Sequence, residues 1–200
     1  IKKARDHINL FQFPQAISVL KEAIKQDPES WEAWHTVGLA YLRMQKNTDA
    51  EKAFVKALEI KPKEEETQKA LGSIYVVRAK ASQSKGRTDD MLDQMLKACR
   101  AYPGGTKIWA SLFQSWWDRG EFEKIKEQGK FIAEENRKLF DNHYDESLQK
   151  AMVLVAKTYY RNNDLTNTEQ YLRLANPIRV HNEALYIMRR EIRQKNEAEI

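Results

Sequence analysis

A single cysteine, Cys99, occurs in the 200 residues, so no disulfide can close within the chain and no thiolate pair can anchor a zinc site. That usage fits a reducing intracellular compartment, most simply the cytoplasm. Seven glycines and five prolines are too few to turn a many-stranded β protein. No apolar run approaches the roughly 20 residues a membrane-crossing helix needs. The chain opens on Ile1 without a leader-like segment, and we therefore expect a piece of a longer protein. The four histidines, His7, His35, His143 and His181, are scattered and never fall at the spacing of a helical metal site. Gly104 and Gly105 follow Pro103, with no strand pattern ahead of them to make a phosphate loop. Asp89 and Asp90 open a helical pattern and read as capping residues. With no converging reactive groups, the expectation is a protein that is not an enzyme and uses no cofactor and no metal.

What is abundant is Lys, Glu, Ala, Leu and Gln, the vocabulary of surface-rich helices. A hydrophobic share of 42% is enough for a core. The net charge of +5 fits solvated lysine faces first, with acidic peptides, nucleic acid or an anionic membrane as the other readings.

Periodicity carries more than composition. Residues 31–62 read WEAWHTVGLAYLRMQKNTDAEKAFVKALEIKP. Trp34, Val37, Gly38 and Tyr41 share one face of a first helix at i, i+3, i+4 and i+7. Ala50, Phe54 and Ala57 do the same on a second. Gly38 and Ala50 are small where the helices should cross closely, and Pro62 ends the second helix. This pattern resembles the tetratricopeptide consensus at all eight of its signature positions.

The pattern extends both ways. Ala16 and Pro28 lie 34 residues before Ala50 and Pro62, and Leu71, Gly72 and Tyr75 lie 34 after Val37, Gly38 and Tyr41. The register then slips: Ala98 and Pro103 follow Ala57 and Pro62 by 41, so seven residues are inserted near 81–88. We expect them to lengthen the third repeat's first helix and its turn. A fourth repeat has Trp109, Leu112, Phe113 and Trp116, with Phe113 where the family has Gly and Gly129 where it has Phe, a swap that could conserve volume across one contact. Its second helix should run long, from about 121 to 140. A fifth has Met152, Val155, Ala156 and Tyr159.

The resemblance implies an all-α fold, a right-handed α-solenoid of about five helix pairs in a single domain over 1–200. The pairs fall at about 1–30, 31–64, 65–105, 106–148 and 149–179, and a charged helix over 180–198 caps the end. It also implies an interaction scaffold whose partner lies in a concave groove lined by the first helices. At the family's lining positions stand Leu39, Arg43, Lys69, Lys107, Gln114, Trp117, Lys150, Lys157, Tyr160 and Arg161, among others. Across that face Arg43, Lys69, Lys107, Lys150, Lys157 and Arg161 outnumber Glu32, Glu66 and Asp118. A basic groove holding an acidic or amphipathic peptide is the leading expectation, with Trp117 and Tyr160 either as its aromatic anchors or packed under neighbouring helices. An RNA or polyanion scaffold is the alternative, since repeat four resembles the half-a-TPR repeats of RNA-processing scaffolds. A structural subunit of a larger assembly is a third reading. The family's clamp for chaperone C-terminal carboxylates is missing: its positions hold Ile1, Arg5, Thr36, Glu66 and Ala70.

Overall fold

The computed structural model describes residues 1–135 and 145–175 together with 186, 187, 190, 191 and 194. Every element among them is helical, and they divide into two compact units, Ile1–Tyr102 and Pro103–Ile200. Each unit is a helical repeat array in its own right.

The first unit holds three antiparallel pairs: α1 (Lys2–Asn9) with α2 (Phe13–Gln26), α3 (Trp31–Arg43) with α4 (Asn47–Ile60), and α5 (Glu65–Ser84) with α6 (Thr88–Ala101). Pro14 sits in the first turn of α2, where its missing N–H costs nothing. The Glu64 carboxylate caps α5 by accepting from the Thr67 N–H at 3.1 Å. Helix α5 runs 20 residues, so the insertion near 81–88 is a helical extension followed by a turn, as its sequence suggests. The buried faces are those of the apolar stripes: Leu20, Val37, Ala53, Phe54, Leu71 and Ile74 lie at 6% exposure or less. Each such large side chain contributes roughly 1.5–3 kcal/mol by leaving water.

The second unit holds α7 (Thr106–Asp118) with α8 (Phe122–Glu135), then α9 (Glu146–Arg161) with α10 (Leu165–Ala175). Its core is aromatic. Trp109 and Phe113 are fully buried, Trp109 edge-on to Phe113 at 5.5 Å and Phe113 stacked on Trp116 at 5.9 Å. Tyr159 stacks on Tyr171 at 5.4 Å, tying α9 to α10.

One backbone feature recurs in every pair. The turn between its two helices contains a residue with positive φ: Phe11, Gln45, Gly86, Gly120 and Asn163. Phe11 to Gln45 and Gly86 to Gly120 are steps of 34, and Gln45 to Gly86 is a step of 41, which reproduces the slip read from the side chains. At Gly86 and Gly120 the lack of Cβ makes this turn cheap. Phe11 adopts it with its ring 76% exposed. The distal part of the long helix expected to reach 140, and most of the cap helix expected over 180–198, lie outside the described residues.

Candidate functional site

Helices α7 and α9 lie side by side in the second unit, and Asp145 pins their first turns together. Its Oδ1 accepts from the Leu148 N–H at 2.8 Å, capping α9, and its Oδ2 accepts from the Thr106 hydroxyl at 2.9 Å. Both helices spend their apolar stripes on the core: Trp109, Leu112, Phe113 and Trp116 on one, Met152, Val155, Ala156 and Tyr159 on the other. The faces about 100° away meet over an open cleft of about 840 Å³.

Lys107, Ser111 and Gln114 line it from α7, and Glu146, Lys150 and Lys157 from α9, over a floor of Ala110, Val153 and Leu154. Three lysines thus face one carboxylate. Lys150 spends part of its charge on Glu146, Nζ to Oε1 at 2.7 Å. The hydrogen bond and charge of Lys150 hold the Glu146 carboxyl below its ordinary pKa. Among the described residues no carboxylate lies within salt-bridge reach of Lys107 or Lys157. Gln114 donates to Asp118 Oδ1 at 2.7 Å. The result is a trough with an apolar bottom and a cationic rim.

Four of the residues proposed from sequence therefore converge: Lys107, Gln114, Lys150 and Lys157. The others do not line this cleft. Trp117 is half-buried and edge-on to Phe122 at 5.2 Å, while the Arg161 guanidinium stands 4.4 Å from the centre of the same ring. The Tyr160 hydroxyl donates to Glu191 Oε2 at 3.1 Å. Leu39, Arg43 and Lys69 belong to the first unit. Leu39 packs on the cluster around Phe54 and Leu71, and Arg43 is exposed at the end of α3. Lys69 bridges to Glu65 at 2.8 Å and lies 5.7 Å from the ring centre of Tyr102. Conversely, Ser111, Ser147 and Leu154 line the cleft without occupying the family's lining positions. Ser111 lies four residues past Lys107, and Leu154 four past Lys150, so helical spacing carried the signal.

Elsewhere, burial pushes the Cys99 thiol far above its ordinary pKa. Burial likewise lowers the pKa of His35, whose Nδ1 lies 2.8 Å from the Thr67 hydroxyl. Cys99 is fully buried and His35 partly so. Among the described residues no cluster of His, Cys, Asp or Glu is arranged to hold a metal ion, and no helix is long and apolar enough to cross a membrane.

Residues 10–74 match the tetratricopeptide repeat family. Over that stretch the chain is similar to tetratricopeptide repeats. Over 75 residues it is 29% identical to superkiller complex protein 3 of Mus musculus, a stretch that covers 38% of this chain and 5% of that protein. Solved structures similar to it include pilF of Pseudomonas aeruginosa, at 15% identity and a TM-score of 0.44, covering 98% of this chain and 82% of that one. YrrB, described as a tetratricopeptide protein with an unusual peptide-binding site, is 15% identical with a TM-score of 0.41, covering 96% and 90%. The matching residues 10–74 lie wholly in the first unit; the second unit repeats the helix-pair layout with its small and large positions altered at Phe113 and Gly129.

Proposed function

We propose that this tetratricopeptide chain is an interaction scaffold and that the cleft between α7 and α9 takes an acidic segment of a partner protein. The observation that carries the proposal is the composition of that cleft. Lys107, Lys150 and Lys157 stand over Ala110, Val153 and Leu154, with Glu146 as the single opposing charge. A peptide with one apolar anchor and flanking carboxylates satisfies floor and rim together. The anchor supplies most of the affinity, and the carboxylates, in exposed pairs worth about 1 kcal/mol or less each, supply orientation and selectivity. The amide of Gln114 offers a neutral partner for a peptide backbone.

A nucleic acid is the poorer occupant. Single strands are held by aromatic platforms beside the positive groove, and neither Trp117 nor Tyr160 lines this cleft. Titration of a fluorescent peptide containing one Leu amid Glu and Asp, beside a poly-uridine strand, separates the readings. The peptide should bind with a shallow salt dependence, and Val153→Asp should abolish binding. The pair Lys107→Glu with Lys157→Glu should weaken it by about tenfold. If the RNA binds more tightly, with affinity falling steeply with salt, the polyanion reading replaces this one.

A further inference from the structure

The first unit contains a second crevice, built differently and facing away from the first helices' lining positions. It lies between α2 and α4 with α3 as its floor, has a volume of about 720 Å³, and is walled chiefly by Ile24, Trp34, Val37, Tyr41, Ala53 and Val55. One repeat further on, a specific polar contact ties α4 to α5. There Tyr75, 34 residues after Tyr41, donates its hydroxyl to Glu51 Oε1 at 2.6 Å, and Arg78 bridges to Glu51 Oε2 at 2.6 Å. One repeat step of 34 before Glu51 and Arg78 stand Ile17 and Met44. That polar contact therefore has no counterpart between α2 and α3, and the crevice keeps an apolar lining.

Its rim is basic. Lys21 and Lys52 have no carboxylate partner among the described residues, and Lys56 reaches Glu59 at 2.6 Å. Of the two acidic lining residues, Glu51 is already held by Tyr75 and Arg78, which leaves Asp49. We propose that this crevice is a docking site for an amphipathic helix that carries acidic residues along its flanks. Helix follows from the walls. All three are helices with their backbone groups satisfied internally, so an extended segment laid between them would bury N–H and C=O groups without partners. A helix brings its own hydrogen bonds and fills the trough with side chains at i, i+3, i+4 and i+7. Acidic flanks follow from Lys21, Lys52 and Lys56.

The site shares no residue with the α7–α9 cleft, so each can fail alone. The test uses the full 200-residue chain and an 18-residue helical peptide, Leu on one face and Glu on its flanks, followed by fluorescence anisotropy. A scrambled peptide of the same composition and a Lys-flanked version serve as probes of shape and charge. The Glu-flanked helix should bind saturably and the other two at least tenfold more weakly. Val55 is 38% exposed, so Val55→Asp leaves the charge solvated, should keep the helical circular dichroism, and should weaken binding about tenfold. Lys52→Glu should weaken it about threefold. The pair Lys107→Glu with Lys157→Glu should change nothing here. The proposal is overturned if the Glu-flanked helix does not bind, if scrambled or Lys-flanked peptides bind as well, or if Val55→Asp is without effect. It is equally overturned if affinity follows Lys107 and Lys157, which would place the helix in the other cleft.

Discussion

A Cβ atom added at Gly38 would lie 2.5 Å from Cε1 and 2.6 Å from Cδ1 of Phe54. Phe54 is fully buried, so its ring has nowhere to retreat in a close-packed interior. Gly38→Val should therefore lower stability by about 1–3 kcal/mol through overpacking, read as a lower denaturant midpoint at unchanged slope. An unchanged midpoint would mean that α3 and α4 do not cross here. This contact was legible in the sequence: a glycine flanked by apolar residues at helical spacing, with a Phe 16 positions on, points to a close crossing of two helices. The exchange at Phe113 and Gly129 was only half legible. A Cβ at Gly129 would meet the methyl carbons of Val155 at 2.7 and 2.8 Å. The space is thus filled from α9, while Phe113 is held between Trp109 and Trp116. A repeat pattern says which face of a helix is small; it does not say which neighbour takes the room. Trp117 shows the same limit, for its position on the helix predicts that it leaves the core stripe, and only the fold places Phe122 beneath it.

Between elements, the contact of widest consequence in the first unit is the one from α4 to α5 through Glu51. Burial alone would raise the pKa of this carboxyl, but the hydrogen bonds from Tyr75 and Arg78 and the charges of Arg78 and Lys97 outweigh it and hold it below its ordinary 4.5. The same arrangement pushes the Tyr75 phenol up to about 12, burial first and the Glu51 carboxylate second. A carboxyl depressed in the folded state stabilises the fold above its unfolded pKa and loses that contribution as pH falls through the folded value. Thermal melts should therefore show a falling Tm as pH drops below about 4.5, and Glu51→Gln should lower Tm at pH 7 while flattening that acid limb. A limb of the same steepness in the variant would assign the loss to other carboxylates. Nothing in the repeat pattern announced this lock, since Glu51 and Arg78 occupy positions where the family signature is silent. The 20-residue length of α5, by contrast, followed from a register slip of seven with no helix breaker before Gly86.

At the scale of the chain, the repeat pattern alone suggests one domain over 1–200, whereas the packing groups residues into two units that divide between Tyr102 and Pro103. The candidate cleft was legible in part for a related reason. Lining positions can be counted along any one helix, which names Lys107, Gln114, Lys150 and Lys157, but which helices share a cleft depends on packing that the count does not contain. A stack needs about three repeats before its buried faces outweigh the entropy of ordering them. The first unit has three pairs, and its last residue is anchored within it: Tyr102 lies beneath Lys69 and its hydroxyl reaches Glu65 at 3.4 Å. A fragment of residues 1–102 should therefore fold alone, with helical circular dichroism and one cooperative urea transition whose slope is about half that of a protein of 200 residues. Because Lys107 and all of α9 are gone, it should not bind the acidic Leu-anchored peptide, while Gly38→Val should lower its midpoint as it does in the whole chain. A broad, non-cooperative transition of the fragment would show that the first three pairs need the rest of the array, and the chain would then be one domain, as its repeat pattern suggests.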